Sequence, residues 1–265
     1  MVQKLVLGQI ALSFHVAAAA VVAELLRRDG ISVELAQAPH EEMYAQLADE
    51  RVDLVCSAWL PGSHGIYVDP IEDRITKLGV LYEPYALWGI PDFLPEEIRS
   101  VEDLARPHVA DLMEKRIQGI GPGAGISRFS REIVERYRLS ELGYHFENGT
   151  PAECYGAFER CVRERRGVVV PLWHPQFLHH THKIRELHEP LGLLRGKDQA
   201  TLVGRTSIVS TLPAATIHWL RRIHLGNASV AELDHAISVS HVAPDEAAKA
   251  WLDRHAADVE VWKRP

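Results

Sequence analysis

Apolar runs bounded by turn residues alternate with amphipathic stretches from the start of the chain. Lys4 to Gly8 reads as a buried strand and Phe14 to Arg28 as a helix stopped by Gly30. Ser32 to Ala36 reads as a strand, His40 to Asp49 as a helix and Asp53 to Ala58 as a third strand. This βαβαβ order implies a parallel sheet with helices on its faces. Tyr85 to Ile90, bracketed by Pro84 and Pro91, reads as a strand leaving that unit. The same architecture then recurs without any sequence repeat. A helical stretch ends near Lys115. It is followed by a strand at Arg116 to Ile120, a helix at Ile126 to Tyr137 and a strand at Tyr144 to Glu147. A helix at Pro151 to Arg163 and the apolar strand Gly167 to Leu172 complete the unit. Past Pro190 the pattern predicts a β segment at Ala200 to Val209 and helices at Ala214 to Ile223, Val230 to Val239 and Asp245 to His255. The expectation is an α/β protein of two lobes with a ligand cleft between them. Residues 1–86 and 200–265 form a discontinuous first lobe, and residues 87–199 form the second.

Composition narrows the function classes. A chain of 265 residues with 46% hydrophobic and 25% charged residues can bury a sizeable core. Its formal charge is −7, and its densest basic tracts are short, at Arg163 to Arg166 and around Arg221, so no nucleic-acid surface is expected. Cys56, Cys154 and Cys161 form no CxxC pair, which leaves neither a zinc site nor a disulfide framework supported. The stretch after Lys4 has the look of a leader peptide. Gln9, Ser13 and His15 interrupt its apolar run, however, and a strand followed by a helix explains it better.

In open α/β sheets, ligands sit beyond the carboxyl ends of the strands. Three clusters occupy that position. Ser57 to Tyr67 (SAWLPGSHGIY) places Trp59 and His64 just after a strand. There the indole either walls a cleft or packs against a neighbouring loop. Gly119 to Ile126 (GIGPGAGI) joins a strand to a helix. It is either a plain tight turn or a place where backbone N–H groups receive a carboxylate or phosphate. The spacing is not GxGxxG and Pro122 removes a donor, so a dinucleotide is disfavoured. Pro171 to Phe177 (PLWHPQF) mirrors the first cluster with Trp173 and His174. Indole faces attract cations, quaternary ammonium groups above all.

At these clusters the chain resembles the glycine betaine/choline-type substrate-binding proteins of ABC transporters. SAWLPGSHGIY, GIGPGAGI and VVVPLWHPQF carry the resemblance, supported more loosely by IRELHEPLG and the C-terminal DEAAKAWLDRHAADVEVW. The resemblance implies a type II periplasmic-binding-protein fold that closes on a betaine-like solute and delivers it to an ABC permease. It also implies that Trp59 and Trp173 are two cage walls, that His64 contacts the ligand carboxylate, and that the N–H groups of Gly125 and Ile126 hold that carboxylate from the other lobe. His174, beside Trp173, is a further candidate. One departure concerns the third cage tryptophan common in this family, because Leu12 falls at its position. That side of the cage is therefore open, or closed by Trp88, Tyr85 or Phe14. The other departure is the lack of a recognisable leader or lipobox Cys. The resemblance implies an extracytoplasmic location for a processed form, and a full-length chain of this sequence would be cytoplasmic.

Other readings are weaker. HHTH at His179 to His182 scatters imidazoles over several faces and lacks carboxylate or Cys partners, so no metal is expected. GxSxG is absent and the clusters hold no paired carboxylates, so neither catalysis nor a cofactor is expected. A cytoplasmic effector-binding or sensor domain of the same fold, with a different small ligand, is the alternative function.

Overall fold

The computed structural model describes residues 4–264, which divide into two units. Unit 1 holds the described residues up to Pro84 together with those from Asp198 onward, and unit 2 runs from Tyr85 to Lys197.

Unit 1 is built on strands β1 (Lys4–Ile10), β2 (Ser32–Ala38), β3 (Leu54–Leu60), β4 (Ile75–Val80) and the late strand β10 (Gln199–Arg205). They form one sheet in the order β2-β1-β3-β10-β4. β1 runs parallel to β2 and β3, whereas β10 is antiparallel to β3 and β4. β3 is buried throughout, as a strand covered on both faces should be. Helix α1 (Ser13–Arg28) is buried at nearly every position from Phe14 to Leu26. It lies between the sheet and the C-terminal helices Gly226–Ser238 and Pro244–Arg254, and its Ala17 to Ala20 run brings those layers close. Helix α2 (His40–Ala48) also packs on β1. A Cβ at Gly8 would run into Met43 and Val52, so only glycine permits that approach.

Unit 2 carries β5 (Tyr85–Pro91), β6 (Arg116–Gln118), β7 (His145–Glu147), β8 (Val170–His174) and β9 (Ile184–Glu186). β5 is the centre of an antiparallel β8-β5-β9 sheet, and β6 pairs with β7 in parallel. Helix α3 (Gly125–Arg136) follows the glycine-rich turn. Helix α4 (Pro151–Arg163) opens on a capping box: the Glu153 N–H donates to Thr150 Oγ1 at 3.2 Å, and the Thr150 N–H donates to Glu153 Oε2 at 2.7 Å.

β3 runs on to Leu60 and β8 to His174, so Trp59 and Trp173 lie within strands rather than just past them, and two strands differ further for identifiable reasons. β8 starts only at Val170, because Gly167 pairs instead with Met113 in an isolated bridge. The segment expected as β from Ala200 to Val209 ends as a strand at Arg205 and continues as a helical turn, Thr206–Val209. There Arg205 is drawn to Asp53 at 2.8 Å and to Glu50.

Candidate functional site

The carboxyl ends of the three parallel strands of unit 1 converge on one aromatic cluster. α1 follows β1 and supplies Phe14 and His15, α2 follows β2 and opens with His40, and the loop after β3 supplies His64. Trp59, near the end of β3, lies 5.2 Å from the Phe14 ring, 5.6 Å from His15 and 6.1 Å from His64. His40 stands edge-on 5.3 Å from His64 and 6.4 Å from His15. One ring nitrogen from each of the three histidines falls within 4.8 Å of the others.

Hydrogen bonds fix this cluster from behind. The Trp59 indole Nε1–H donates to Tyr82 Oη at 3.0 Å, and the Trp59 backbone N–H donates to His64 Nδ1 at 2.9 Å. Tyr44 Oη also reaches His64 Nδ1 at 2.9 Å, and the His64 N–H donates back to the Trp59 carbonyl at 2.8 Å. The loop between them is held by buried Asp198, whose Oδ1 and Oδ2 accept the N–H groups of Gly62 at 2.6 Å and Ser63 at 3.0 Å. Ser57 contacts both His15 Nδ1 and Tyr82 through its hydroxyl. It sits at φ 58° inside β3, a conformation that costs a non-glycine residue about 1–3 kcal/mol and recurs at binding sites. Burial, with neighbouring His40 second, holds the His15 pKa well below the ordinary imidazole value, so the ring is neutral at pH 7. Burial also raises the Tyr44 and Tyr82 hydroxyls far above the usual phenol range. They remain protonated donors.

Leu12 is nearly buried as the N-cap residue of α1, one residue before that helix begins. Trp59, His64 and Leu12 therefore belong to unit 1. Gly125, Ile126, Trp88, Trp173 and His174 belong to unit 2.

In unit 2, Gly125 and Ile126 form the first turn of α3, and the N-cap residue Ala124 has no side chain able to cap their N–H groups. The turn before them is braced by Ser127, whose hydroxyl donates to the Ile120 carbonyl at 3.0 Å, and by Arg128, which donates to the Gly123 carbonyl. Trp88 is fully buried in β5, and its Nε1–H donates at 2.8 Å to Ser130 Oγ on α3. Trp173 in β8 is 2% exposed and lies 6.2 Å from the Tyr155 ring, which meets Phe177 at 5.1 Å. His174 stacks on Tyr85 at 5.5 Å. Burial, then His179, lowers the His174 pKa.

His15, His40, Tyr44, Ser57 and Tyr82 escaped the sequence reading. The strand-end rule that selected Trp59 points equally to His15 and His40, since both lie just past β1 and β2. Tyr82 and Ser57 carry no such signal.

Paired α/β units, each with a tryptophan in the last residues of a strand, Trp59 in β3 and Trp173 in β8, define a solute-binding protein of the type II periplasmic-binding fold. Three solved structures share that fold. Lactococcal OpuAC, in its closed-liganded conformation complexed with glycine betaine, is 20% identical; the match covers 99% of this chain and 100% of that one, with TM-score 0.87. The glycine betaine/L-proline-binding protein ProX from Borrelia burgdorferi is 18% identical, covering 99% and 97%, with TM-score 0.88. An ABC-transporter choline-binding protein in complex with choline is 17% identical, covering 98% and 91%, with TM-score 0.85. The chain belongs to the OpuAC family, the substrate-binding domain of the ABC-type glycine betaine transport system, which matches residues 3–254. A curated relative, the glycine betaine/carnitine transport binding protein GbuC of Listeria monocytogenes, is 20% identical over 158 residues, 60% of this chain and 52% of that protein. The chain thus spans about half the length of that relative.

Proposed function

We infer that this protein is the solute-binding component of an ABC transporter and that it holds a small methylated ammonium zwitterion such as glycine betaine. The observation that carries this reading is the setting of Trp59. Its Nε1 is engaged by Tyr82 and its ring is flanked by Phe14 and His15, which leaves an oriented indole beside an imidazole at a strand end. An indole face binds a quaternary ammonium by cation–π attraction, about 2 kcal/mol when desolvated. In this reading Trp173 is a second wall of the aromatic cage. The solute carboxylate is received by His64 from unit 1 and by the N–H groups of Gly125 and Ile126 from unit 2, where a helix N-terminus favours negative charge. The Trp88–Ser130 bond supports Trp88 as a brace for that helix. Phe14, packed against Trp59, closes the side where Leu12 stands in place of an indole. His174 follows Trp173 directly in β8 and stacks on Tyr85.

Support comes from the family match and from relatives of the same fold solved with glycine betaine and with choline. The solute is released unchanged, the partner is an ABC permease, and the working location is extracytoplasmic. Among the described residues, no helix is long and apolar enough to cross a membrane. A thermal-shift screen against glycine betaine, proline betaine, carnitine and choline, with recovery of unaltered ligand, tests the reading. Stabilisation by the zwitterions supports it; a flat response to the whole panel, or turnover of any member, contradicts it.

A further inference from the structure

The histidine-rich stretch after β8 folds back onto the end of that strand. Gln176, 1% exposed, accepts the Leu178 N–H on its Oε1 at 2.7 Å, and its carbonyl accepts the His179 N–H at 3.3 Å. The turn Leu178–Thr181 formed in this way sends its imidazoles in different directions. His180 is exposed, and the neighbouring His182 meets the Thr181 hydroxyl at 2.9 Å and Phe158 edge-on. His179 turns back: its Nε2 donates to the Trp173 carbonyl at 3.1 Å, and its ring lies 5.0 Å from that of His174. A carbonyl only accepts, so the neutral His179 ring carries its proton on Nε2.

A further proton is poorly accommodated in this pair. His174 lies flat against Tyr85, at 5.5 Å and 3°, and its Nδ1 is buried without a partner among the described residues. An imidazolium donates from both nitrogens, so a charged His174 would bury an N–H that has no acceptor. Two charged rings 5.0 Å apart would repel each other. Tyr85, on β5, donates its hydroxyl to Glu186 of β9 at 3.0 Å. Burial, followed by that carboxylate, pushes the Tyr85 pKa up to about 12, so it stays protonated. Glu186 favours positive charge on both imidazoles and His180 opposes it. α3, α4 and β6 also pack on β8, and among the described residues they add no titratable group that shifts either ring. Burial is the largest cause at both rings and holds each below the ordinary imidazole value; at His174 the neighbouring His179 comes second. The pair is therefore neutral at pH 7.

We propose that His174 and His179 are positioning residues that act as one proton-sensitive clamp on Trp173: as a neutral pair they hold the end of β8, and in acid the pair takes up a proton, the clamp loosens and solute affinity falls. The sign follows from the direction of both shifts. Groups depressed in the folded state contribute fully above about pH 6.5, and that contribution is lost as the pH falls below it. A quaternary ammonium has no proton to lose, and the betaine carboxylate stays ionised over this range, so the solute adds no titration of its own. The effect on solute rests on the function inferred above; the coupling of the pair to Trp173 does not.

NMR spectra of the ligand-free protein between pH 7.5 and 4.5 read the clamp directly. The ring nitrogens of His174 and His179 should titrate on coupled curves with midpoints below about 6.5, and the Trp173 carbonyl carbon should shift along them. Independent titrations with an unmoved Trp173 carbonyl overturn the proposal. Calorimetry then compares glycine betaine affinity at pH 7.5 and 5.0 in the wild type and in the double variant His174→Phe/His179→Gln. That variant keeps a ring against Tyr85 and a donor for the Trp173 carbonyl but has nothing to protonate. On acidification the wild type should lose about threefold more affinity than the double variant, within the limit of about tenfold per pH unit that one proton sets. The histidines of unit 1 titrate in both proteins and cancel in this comparison. Equal losses in the two proteins overturn the proposal. If the coupled titration is present but betaine binds at neither pH, the inferred function falls and the clamp stands.

Discussion

Asp198 holds the loop that presents His64, and replacing it with Asn isolates one bond. Its buried carboxylate accepts the Gly62 N–H at 2.6 Å and the Ser63 N–H at 3.0 Å. An Asn amide has the same shape but one oxygen, so its NH2 group must face one of those two donors. One charge-assisted bond is lost, about 1.5–3 kcal/mol, and a buried amide is left without an acceptor. At about 2–4 °C per kcal/mol for a chain of this length, unit 1 should melt about 3–12 °C lower. His64 is tied to Trp59 through its N–H and its Nδ1, so loosening the loop also misaligns the carboxylate donor, with an expected affinity loss of about tenfold or more. Differential scanning fluorimetry and calorimetry with glycine betaine read both effects, and Asp198→Ala should exceed Asn in each. Wild-type melting and affinity in Asp198→Asn would refute the claim that this carboxylate organises the site.

Trp59→Ala and Trp173→Ala should each weaken betaine binding about thirtyfold, the equivalent of about 2 kcal/mol, and Phe at either position should cost less; undiminished affinity in both Ala variants would remove the cage. Betaine should bind about 5- to 150-fold more tightly than choline, since an unpaired donor set costs about 1–3 kcal/mol, and a preference for choline would mean that the anion subsite is misassigned. Stability should fall on acidification. Buried His15 is neutral in the folded state with its pKa depressed, so its contribution is full above about pH 6.5 and is lost as the pH drops below that, by at most about 1.4 kcal/mol per pH unit. Urea melts at pH 7.5 and 5.5 check the slope, and equal stability at the two would contradict it. Saturating glycine betaine should favour a more compact form in small-angle scattering, whereas identical profiles would leave only a static pocket.

The β1–α1–β2–α2–β3 order was legible because β1 and β3 read as apolar runs and α1 carries its own stop at Gly30, whereas β2 is a mostly exposed edge strand. β4 and β9 were not, since short strands with interspersed Lys77 or Arg185 give no clean period, and β4 takes its partner from β10 far along the chain. Trp59, His64 and Trp173 could be picked out because large aromatics and histidines near the carboxyl ends of strands stand out locally, although both indoles lie inside β3 and β8. His15 was hidden inside a helix-forming alanine run, where an imidazole reads as one polar interruption. The link from Ser57 to Tyr82, and from there to Trp59, joins residues on different elements and exists only in the folded chain. Asp198, far from Gly62 in sequence, became meaningful only once β10 was seen to return beside β3.

The most direct test of the central claim is a calorimetric titration of the intact protein with glycine betaine, run beside its Trp59→Ala and Trp173→Ala variants. The account predicts a saturable one-to-one isotherm in the wild type and a loss of about thirtyfold in each variant, one from either unit. An isotherm unchanged by both substitutions, or no saturable heat in the wild type, would contradict it.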